Sequence, residues 1–259
     1  MTPSTKKIIS IIVLVAIVAL FAYYISKHIQ DFKSLTLVNP ALLIALIAIF
    51  LFTYYLISIV TKNLLYPLGV YLKNSEAFAL SVVTGFYNVI TPAHGGMAVR
   101  AVYLKKKHNF TYTSFLSSLA GMYVITFLIA SLIGIISSLV IYFYSGVFSK
   151  IIFAIFFTIF FSLLITMLFS PKIPLSKNNF LNRFIQVING WHLIKNNKRA
   201  IIIVSLVSIL QIITGAFMLY LQFKVFGIDI TFIKCLFLTS IGSLSILISI
   251  TPAGLGINE

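Results

Sequence analysis

The sequence predicts an all-α polytopic membrane protein, and three observations support this fold class. Of the 259 residues, 60% are hydrophobic and only 9% are charged, whereas soluble domains are about 25% charged. The mean hydropathy is +1.10. Uncharged apolar runs recur along the chain at lengths close to the ~20 residues that a helix needs to cross a bilayer. The 24 Phe and 13 Tyr residues exclude a disordered chain, because disordered segments are poor in aromatic residues.

Five of the apolar runs are predicted to be membrane spans. The first follows Lys6 and Lys7 as a signal peptide would, but it is long for a signal sequence and lacks an Ala-x-Ala cleavage site. We therefore predict a retained anchor. The predicted spans are residues 8–26, 41–60, 113–144, 151–170 and 200–223.

Two shorter apolar stretches, residues 77–90 and 235–250, end in similar breaks. Residues 91–96 (TPAHGG) and 251–256 (TPAGLG) share Thr, Pro, Ala and the final Gly. Proline interrupts helices because it lacks the backbone N–H and clashes with the preceding turn. We predict two broken, re-entrant segments; the alternative is that the prolines only kink ordinary spans.

Basic residues predict the orientation, because Lys and Arg are enriched in cytoplasmic loops. Residues 96–110 carry four of them and residues 171–199 carry six. With both segments cytoplasmic, the N-terminus is also cytoplasmic, residues 77–104 form a re-entrant hairpin with its tip at 91–96, and residues 235–259 enter from outside. The sequence therefore predicts one domain over residues 1–259, built as an inverted-topology repeat of about 8–144 and 151–259.

The segment 171–199 is the largest polar insert, and its apolar side chains recur at helical spacing between Phe180 and Ile194. This pattern predicts an amphipathic helix at the cytoplasmic interface, with Trp191 at the level of the lipid headgroups. A solvated connector whose charges only enforce the topology is the alternative.

Composition and motifs also exclude several function classes. The net charge of +15 indicates topology and attraction to anionic lipid, because no soluble basic face is present to bind nucleic acid. A single Cys235 excludes an intrachain disulfide and a Cys-x-x-Cys site. HExxH, GxSxG and P-loop patterns do not occur. We expect no enzyme, no metal and no cofactor, since the acids are far apart in sequence: Asp31, Glu76, Asp229 and Glu259.

Candidate binding residues cluster at the two breaks. Arg100 either snorkels to the interface or faces a wet cavity and a phosphate, which a guanidinium binds with two hydrogen bonds. His94 is titratable, and Glu259 could pair with Arg100 or carry a proton, unless the terminus is frayed. The hydroxyls and amides could instead serve only backbone groups freed by the breaks. The candidate set is Arg100, Tyr87, Asn88, Thr91, His94, Gly95, Gly96, Thr251, Gly254, Gly256 and Glu259, with Pro92 and Pro252 as helix breaks.

The break motifs resemble those of a known family. NVITPAHGGMAVRAVYLK at 88–105 resembles the Pro-x-x-x-Gly-Glu-x-x-Arg segment of the lysylphosphatidylglycerol synthase transmembrane-region family, also called flippase-like proteins. TPAGLGINE at 251–259 is similar to that family's Pro-x-Gly-Leu-Gly-x-x-Glu segment. The resemblance covers essentially the whole chain and implies functional positions at Pro92, Gly96, Arg100, Pro252, Gly254, Gly256 and Glu259.

This resemblance implies a multi-pass protein of the cell membrane that moves an anionic phospholipid or a polyprenyl-phosphate-linked lipid between leaflets. The alternative is a non-transporting membrane partner of a separate glycosyltransferase or lipid-modifying enzyme. Met97 stands where the family has a glutamate, and Gly121-Met122 stand about where it has a Glu-Arg pair. The last helices of the family pattern are also missing, so we expect a chain that is short at its C-terminus. No aminoacyltransferase domain follows, so the chain is not expected to synthesise the lipid.

Overall fold

The computed structural model describes residues 23, 26–27, 39–91, 95–169, 172–174 and 178–245. Every regular element among these residues is a helix, and four of the helices are long and apolar enough to cross a membrane. These four match the second to fifth predicted spans; most of the first, residues 8–26, lies outside the described residues. The helices are α1 Leu42–Leu65, α2 Asn74–Ile90, α3 Gly96–His108, α4 Tyr112–Ser145, α5 Lys150–Leu168, α6 Asn179–Asn196, α7 Lys198–Val225 and α8 Phe232–Ser245.

Helix α4 forms the centre of the bundle and packs against α5, α6, α7 and α8. Small residues along it allow close approach, as is usual between helices in membranes. A Cβ atom at Gly134 would lie 2.5 Å from the Phe156 ring of α5. Ser117 and Ser131 of α4 are fully buried, and the Ser131 hydroxyl donates to the Phe127 carbonyl of the preceding turn. The core therefore forms around α4 without leaving this serine unpaired.

The outer faces of the bundle are apolar. Phe156 is the buried residue of α5, whereas Phe157, Phe161 and Ile165 are each more than 40% exposed. A soluble protein would bury such a surface, because exposed apolar area is unfavourable in water. The pattern is that of a helix whose outer face is in contact with lipid.

The two strongly basic segments lie at the same end of the bundle, as the sequence predicts. Lys105 from the end of α3, Tyr112 and Arg183 of α6 line one cavity. The Lys195 ammonium of α6 donates to the carbonyl of Leu168, the last residue of α5, at 3.0 Å. We call this the basic end.

Helices α1 and α7 run in opposite directions, as the inverted repeat requires. The Asn39 N–H, just before α1, donates to the carbonyl of Val225, the last residue of α7, at 3.3 Å. Helix α2 follows α1 inward from the basic end, whereas α8 follows α7 inward from the other end, with the Tyr220 and Phe232 rings 6.4 Å apart. The exact repeat boundaries stay predictions, and the second break, residues 251–256, lies outside the described residues.

Helix α6 is present where the sequence predicts an amphipathic helix, but its tryptophan is placed differently. Trp191 is buried, as is Ile194, and a Cβ at Gly121 of α4 would lie 3.3 Å from the Trp191 ring. The expectation that Trp191 faces the headgroups is therefore wrong. Phe184 and Leu181 on the same helix remain about half exposed. One apolar face of α6 thus packs on protein, and only the other is left for the interface.

Helices α2 and α3 form an antiparallel hairpin with a regular register. Position 88 lies beside 96, 84 beside 100, and 76 beside 108. The two residue numbers of each pair sum to 184, so all three pairs are centred on position 92. At 1.5 Å per residue the helices are about 25 and 20 Å long, shorter than the ~30 Å hydrocarbon core. The hairpin therefore enters and leaves at the basic end, as predicted for residues 77–104.

Gly96 sets how closely the two helices approach. A Cβ there would lie 2.0 Å from the Thr84 carbonyl oxygen and 2.9 Å from the Asn88 backbone nitrogen. Both atoms belong to the α2 backbone, so neither can move aside as a side chain could. The first residue of α3 must therefore be glycine for this register to form.

We predict that Gly96→Ala lowers the stability of the detergent-solubilised protein by about 1–3 kcal/mol, the usual cost of overpacking. Thermal denaturation followed by circular dichroism measures this. Gly242→Ala on α8 is the matched control, because a Cβ there meets no heavy atom within 4 Å and alanine favours helix. Equal melting temperatures for wild type and Gly96→Ala would contradict this packing.

The arrangement of the ends predicts the membrane topology. In a Cys235→Ala background, a cysteine at exposed Lys106 should react with a membrane-impermeant maleimide from the cytoplasmic side only. A cysteine at Val147, 68% exposed in the α4–α5 turn, should react from the opposite side only. Labelling of both positions from one side would show that α4 does not cross the membrane. A cysteine at Tyr71, 69% exposed just before α2, should react from the same side as Lys106, and labelling of these two positions from opposite sides would refute the hairpin as a re-entrant element.

Candidate functional site

Arg100 is the charged residue that the fold buries most deeply in the hairpin. It lies one turn into α3 and is 4% exposed. Its Nε donates to the Thr84 hydroxyl oxygen at 3.1 Å, and that hydroxyl in turn donates to the Leu80 carbonyl. This chain of two hydrogen bonds turns a lone pair of Thr84 toward the guanidinium and fixes its orientation.

The outer two nitrogens of the Arg100 guanidinium have no hydrogen-bond partner among the described residues. No carboxylate of the described chain forms an ion pair with it either. Arg100 lies eight residues before the C-terminal end of α3, or about 12 Å along the helix axis. A guanidinium at that depth is costly unless an anion or water compensates it.

A small cavity adjoins Arg100, with a volume of about 10 Å³. This is the space of a single water molecule. Thr61 of α1 is 5% exposed and lines the cavity, and its hydroxyl oxygen has no partner within the described part of the chain. Two polar groups from different helices therefore face one space. The lining residues are Thr61, Leu64, Leu65, Arg100, Leu104, Phe115, Ser118, Leu119 and Met122.

The predicted residues at the first tip come together around the break. Gly96 packs on the Asn88 amide, whose oxygen is buried and unpaired among the described residues. The Thr91 hydroxyl donates to the Tyr87 carbonyl and closes the end of α2. Gly95 accommodates that threonine, since a Cβ there would meet it at 2.4 Å.

Thr91 thus satisfies a backbone group at the break, whereas Asn88 has an acceptor that no described residue uses. The hairpin register places both between Arg100 and the tip. The other predicted residues lie outside the described part of the chain: Pro92, His94, Thr251, Pro252, Gly254, Gly256 and Glu259.

A second polar cluster closes the base of the hairpin around Glu76 and was not predicted as a site. One carboxylate oxygen, Oε1, accepts from the Tyr103 hydroxyl at 2.8 Å, lies 2.8 Å from His108 Nε2 and is 3.0 Å from the Lys107 ammonium. The Glu76 side chain is only 14% exposed. The contacts join the first turn of α2 to the last turn of α3.

The partners of Glu76 strongly favour its ionised form. Burial by itself would raise the pKa of this carboxyl, but hydrogen bonds from His108, Tyr103 and Lys107, with the charge of Lys107, lower the pKa to about 2. The Glu76 carboxylate therefore pairs with these residues at the base of the hairpin and does not act as a counter-ion for Arg100.

The chain matches one known protein family over almost all of its length. The sequence pattern of the lysylphosphatidylglycerol synthase TM region matches residues 7–259, essentially the whole chain. The chain belongs to this family. No curated protein and no solved structure matches it.

The structure shows the surroundings of Met97, Gly121 and Met122, the positions at which the sequence differs from the motifs it resembles. Met97 packs on the apolar cluster inside the hairpin. Gly121 gives space to Trp191 and Ile194 of α6, and Met122 lines the cavity of Arg100. A cation at position 122 would thus stand beside Arg100, whereas in this chain Arg100 faces that cavity without a second charge.

We predict that Glu76→Gln destabilises the protein by about 2 kcal/mol at pH 7, because hydrogen bonds to an ionised group typically contribute 1.5–3 kcal/mol. The folded pKa lies below the ordinary value of 4.5, so the stabilisation is complete above pH 4.5 and is lost as pH falls toward 2. Melting temperatures of wild type and variant should therefore converge over that range.

Asp229→Asn is the matched control, because Asp229 is 91% exposed and pairs only with Lys224 among the described residues. It should leave the melting temperature at pH 7 unchanged. A Glu76→Gln variant as stable as wild type at pH 7 would show that the cluster does not fix the hairpin base.

Proposed function

We propose that this member of the family moves an anionic phospholipid or a lipid-linked phosphate between leaflets, and that Arg100 binds the phosphate. The observation that carries the proposal is the buried guanidinium that has no carboxylate partner in the described chain and only one hydrogen bond, to Thr84. The family membership supports a membrane role.

The chemistry of the side chain favours a phosphate. Nε of Arg100 is occupied by Thr84, which leaves the two outer nitrogens free to donate in parallel, and this fork matches two oxygens of a phosphate. A phosphodiester carries one negative charge, so binding would compensate the buried cation. The unpaired Thr61 hydroxyl and Asn88 amide oxygen are further polar groups near the hairpin, available to a headgroup hydroxyl or amine.

The cavity at Arg100 is closed to such a ligand in this conformation. Its volume of about 10 Å³ holds one water, so a phosphate can enter only if α1 or α4 moves away from the hairpin. We propose that the movement alternates between the two ends of the bundle, as in other inverted repeats, where one unit moves against the other around a fixed site. Because no ATP-binding pattern occurs in the sequence, the lipid would move down its own gradient or with an ion gradient.

A leaflet-exposure assay tests the proposal. Wild type and Arg100→Ala are reconstituted in vesicles with fluorescent phosphatidylglycerol, and an impermeant quencher reports the rate at which inner-leaflet lipid becomes accessible. Wild type should be clearly faster than protein-free vesicles, and Arg100→Ala should be slower by about tenfold or more, since a desolvated charge-assisted pair is lost.

Arg183→Ala is the matched control, because it removes the same side chain from an exposed position on α6. It should transport like wild type. Equal rates for protein-free vesicles, wild type and Arg100→Ala would contradict transport and favour the role of a non-transporting partner of a lipid-modifying enzyme.

A further inference from the structure

A second cavity opens at the basic end, between the end of α1 and the start of α7. Its volume is about 430 Å³, within the range of ~300–1,000 Å³ that is typical of small-molecule sites. We call it the α1–α7 cleft. It is lined by Tyr55, Ser58, Ile59, Lys62, Asn63, Tyr66, Asn74, Ala77, Asn197, Arg199, Ala200 and Ile203.

The cleft carries two cations and no acid among its lining residues. The Lys62 ammonium donates to the Asn74 amide oxygen at 2.7 Å, a neutral partner that leaves its charge uncompensated. Arg199 has no hydrogen bond or ion pair among the described residues and is exposed at the mouth. Glu76 is adjacent to Ala77 in sequence, but its carboxylate is held by the hairpin base. Among the described residues, the cleft is therefore a positively charged space without a counter-ion.

The lining changes from polar to apolar with depth. The cations and amides lie at the basic end. Ile203 lies one helical turn further into α7 than Arg199, and Ile59 and Tyr55 precede Lys62 in α1 by about one and two turns, so all three lie away from the basic end. A free anion would need only the outer part. A phospholipid would place its phosphate at the cations and its glycerol backbone and acyl chains along the apolar part.

The cleft is separate from the cavity of Arg100. Helix α1 divides them, because Ser58 and Lys62 face the cleft and Thr61, Leu64 and Leu65 face Arg100. The cleft is large enough for a headgroup in the same conformation in which the Arg100 cavity admits only water. The two cavities thus have the sizes expected of an open outer site and a closed inner one.

We propose that the α1–α7 cleft binds the phosphodiester of an anionic phospholipid from the leaflet at the basic end, with Lys62 and Arg199 as the phosphate-binding residues. The role of the cleft as an entry site for transport rests on the proposed function. Lipid binding to the cleft does not depend on transport, because the cleft is already open in this conformation.

Photolabelling tests the binding. The full-length protein in nanodiscs is exposed to phosphatidylglycerol carrying a diazirine beside its headgroup, and cross-linked peptides are mapped by mass spectrometry. Labels should map to residues 55–66 and 197–203 in wild type. Lys62→Gln/Arg199→Gln should reduce them by about tenfold, because both charge-assisted contacts are lost, whereas Lys62→Arg/Arg199→Lys should retain them.

Lys198→Gln is the matched control, since Lys198 is adjacent and exposed but does not line the cleft; its labelling should equal that of wild type. Competition by excess unlabelled phosphatidylglycerol but not by inorganic phosphate identifies a lipid site. Undiminished labelling in the folded Gln/Gln variant, or competition by inorganic phosphate as strong as by lipid, would overturn the proposal. Arg100→Ala should keep the cleft labelled, so a failure of transport is distinguished from a failure of binding here.

Discussion

The close approach of α2 and α3 at Gly96 is the constraint on which the rest of the hairpin depends. With hydrogen as the side chain, the first turn of α3 lies directly on the carbonyl of Thr84, and a Cβ would meet it at 2.0 Å. That contact fixes the register, which then places Arg100 beside Thr84 and His108 beside Glu76. A wider separation would cost Arg100 the one hydrogen bond that orients it. The glycine is thus a packing requirement first, and its functional consequence follows from the register.

The acid and the buried arginine of this hairpin have opposite surroundings. Glu76, at the base, is surrounded by a hydroxyl, an imidazole and an ammonium, and its charge is compensated within the protein. Arg100, about 12 Å further in by helix geometry, is oriented by a neutral hydroxyl and lacks an acid partner among the described residues. Removing one partner from a buried pair is strongly destabilising, so a protein that leaves a cation unpaired at depth needs a mobile anion or water. The α1–α7 cleft shows a similar excess of positive charge at the surface, where a headgroup would arrive first.

Much of the fold follows from the sequence because bilayer thickness dictates helix length. Three of the predicted spans lie within two residues of their expected ends, whereas the span predicted to end at residue 60 continues to Leu65. The Glu76 cluster could also have been predicted. In a hairpin centred on position 92, residues at equal distances from the centre lie beside each other: residues 76 and 108 are both sixteen positions from it, and residues 84 and 100 are both eight positions from it. The α1–α7 cleft could not, since Lys62 and Arg199 are brought together by lateral packing that no periodicity encodes. Trp191 was misplaced because an apolar stripe does not reveal whether lipid or protein covers it. Gly121 was the available sign that a bulky neighbour packs there.

Solid-state NMR in phosphatidylglycerol liposomes can test whether Arg100 binds a lipid phosphate, through the dipolar coupling between guanidinium ¹⁵N and lipid ³¹P. The chain has three arginines, at 100, 183 and 199, so an Arg183→Gln/Arg199→Lys variant with labelled arginine reports on Arg100 alone and keeps the positive charge of the α1–α7 cleft. When α1 or α4 has moved away and Arg100 holds a phosphate, we expect a coupling that corresponds to a nitrogen–phosphorus distance of about 4 Å, as a hydrogen-bonded phosphate requires. A resolved Arg100 signal with no coupling to phosphorus would contradict it.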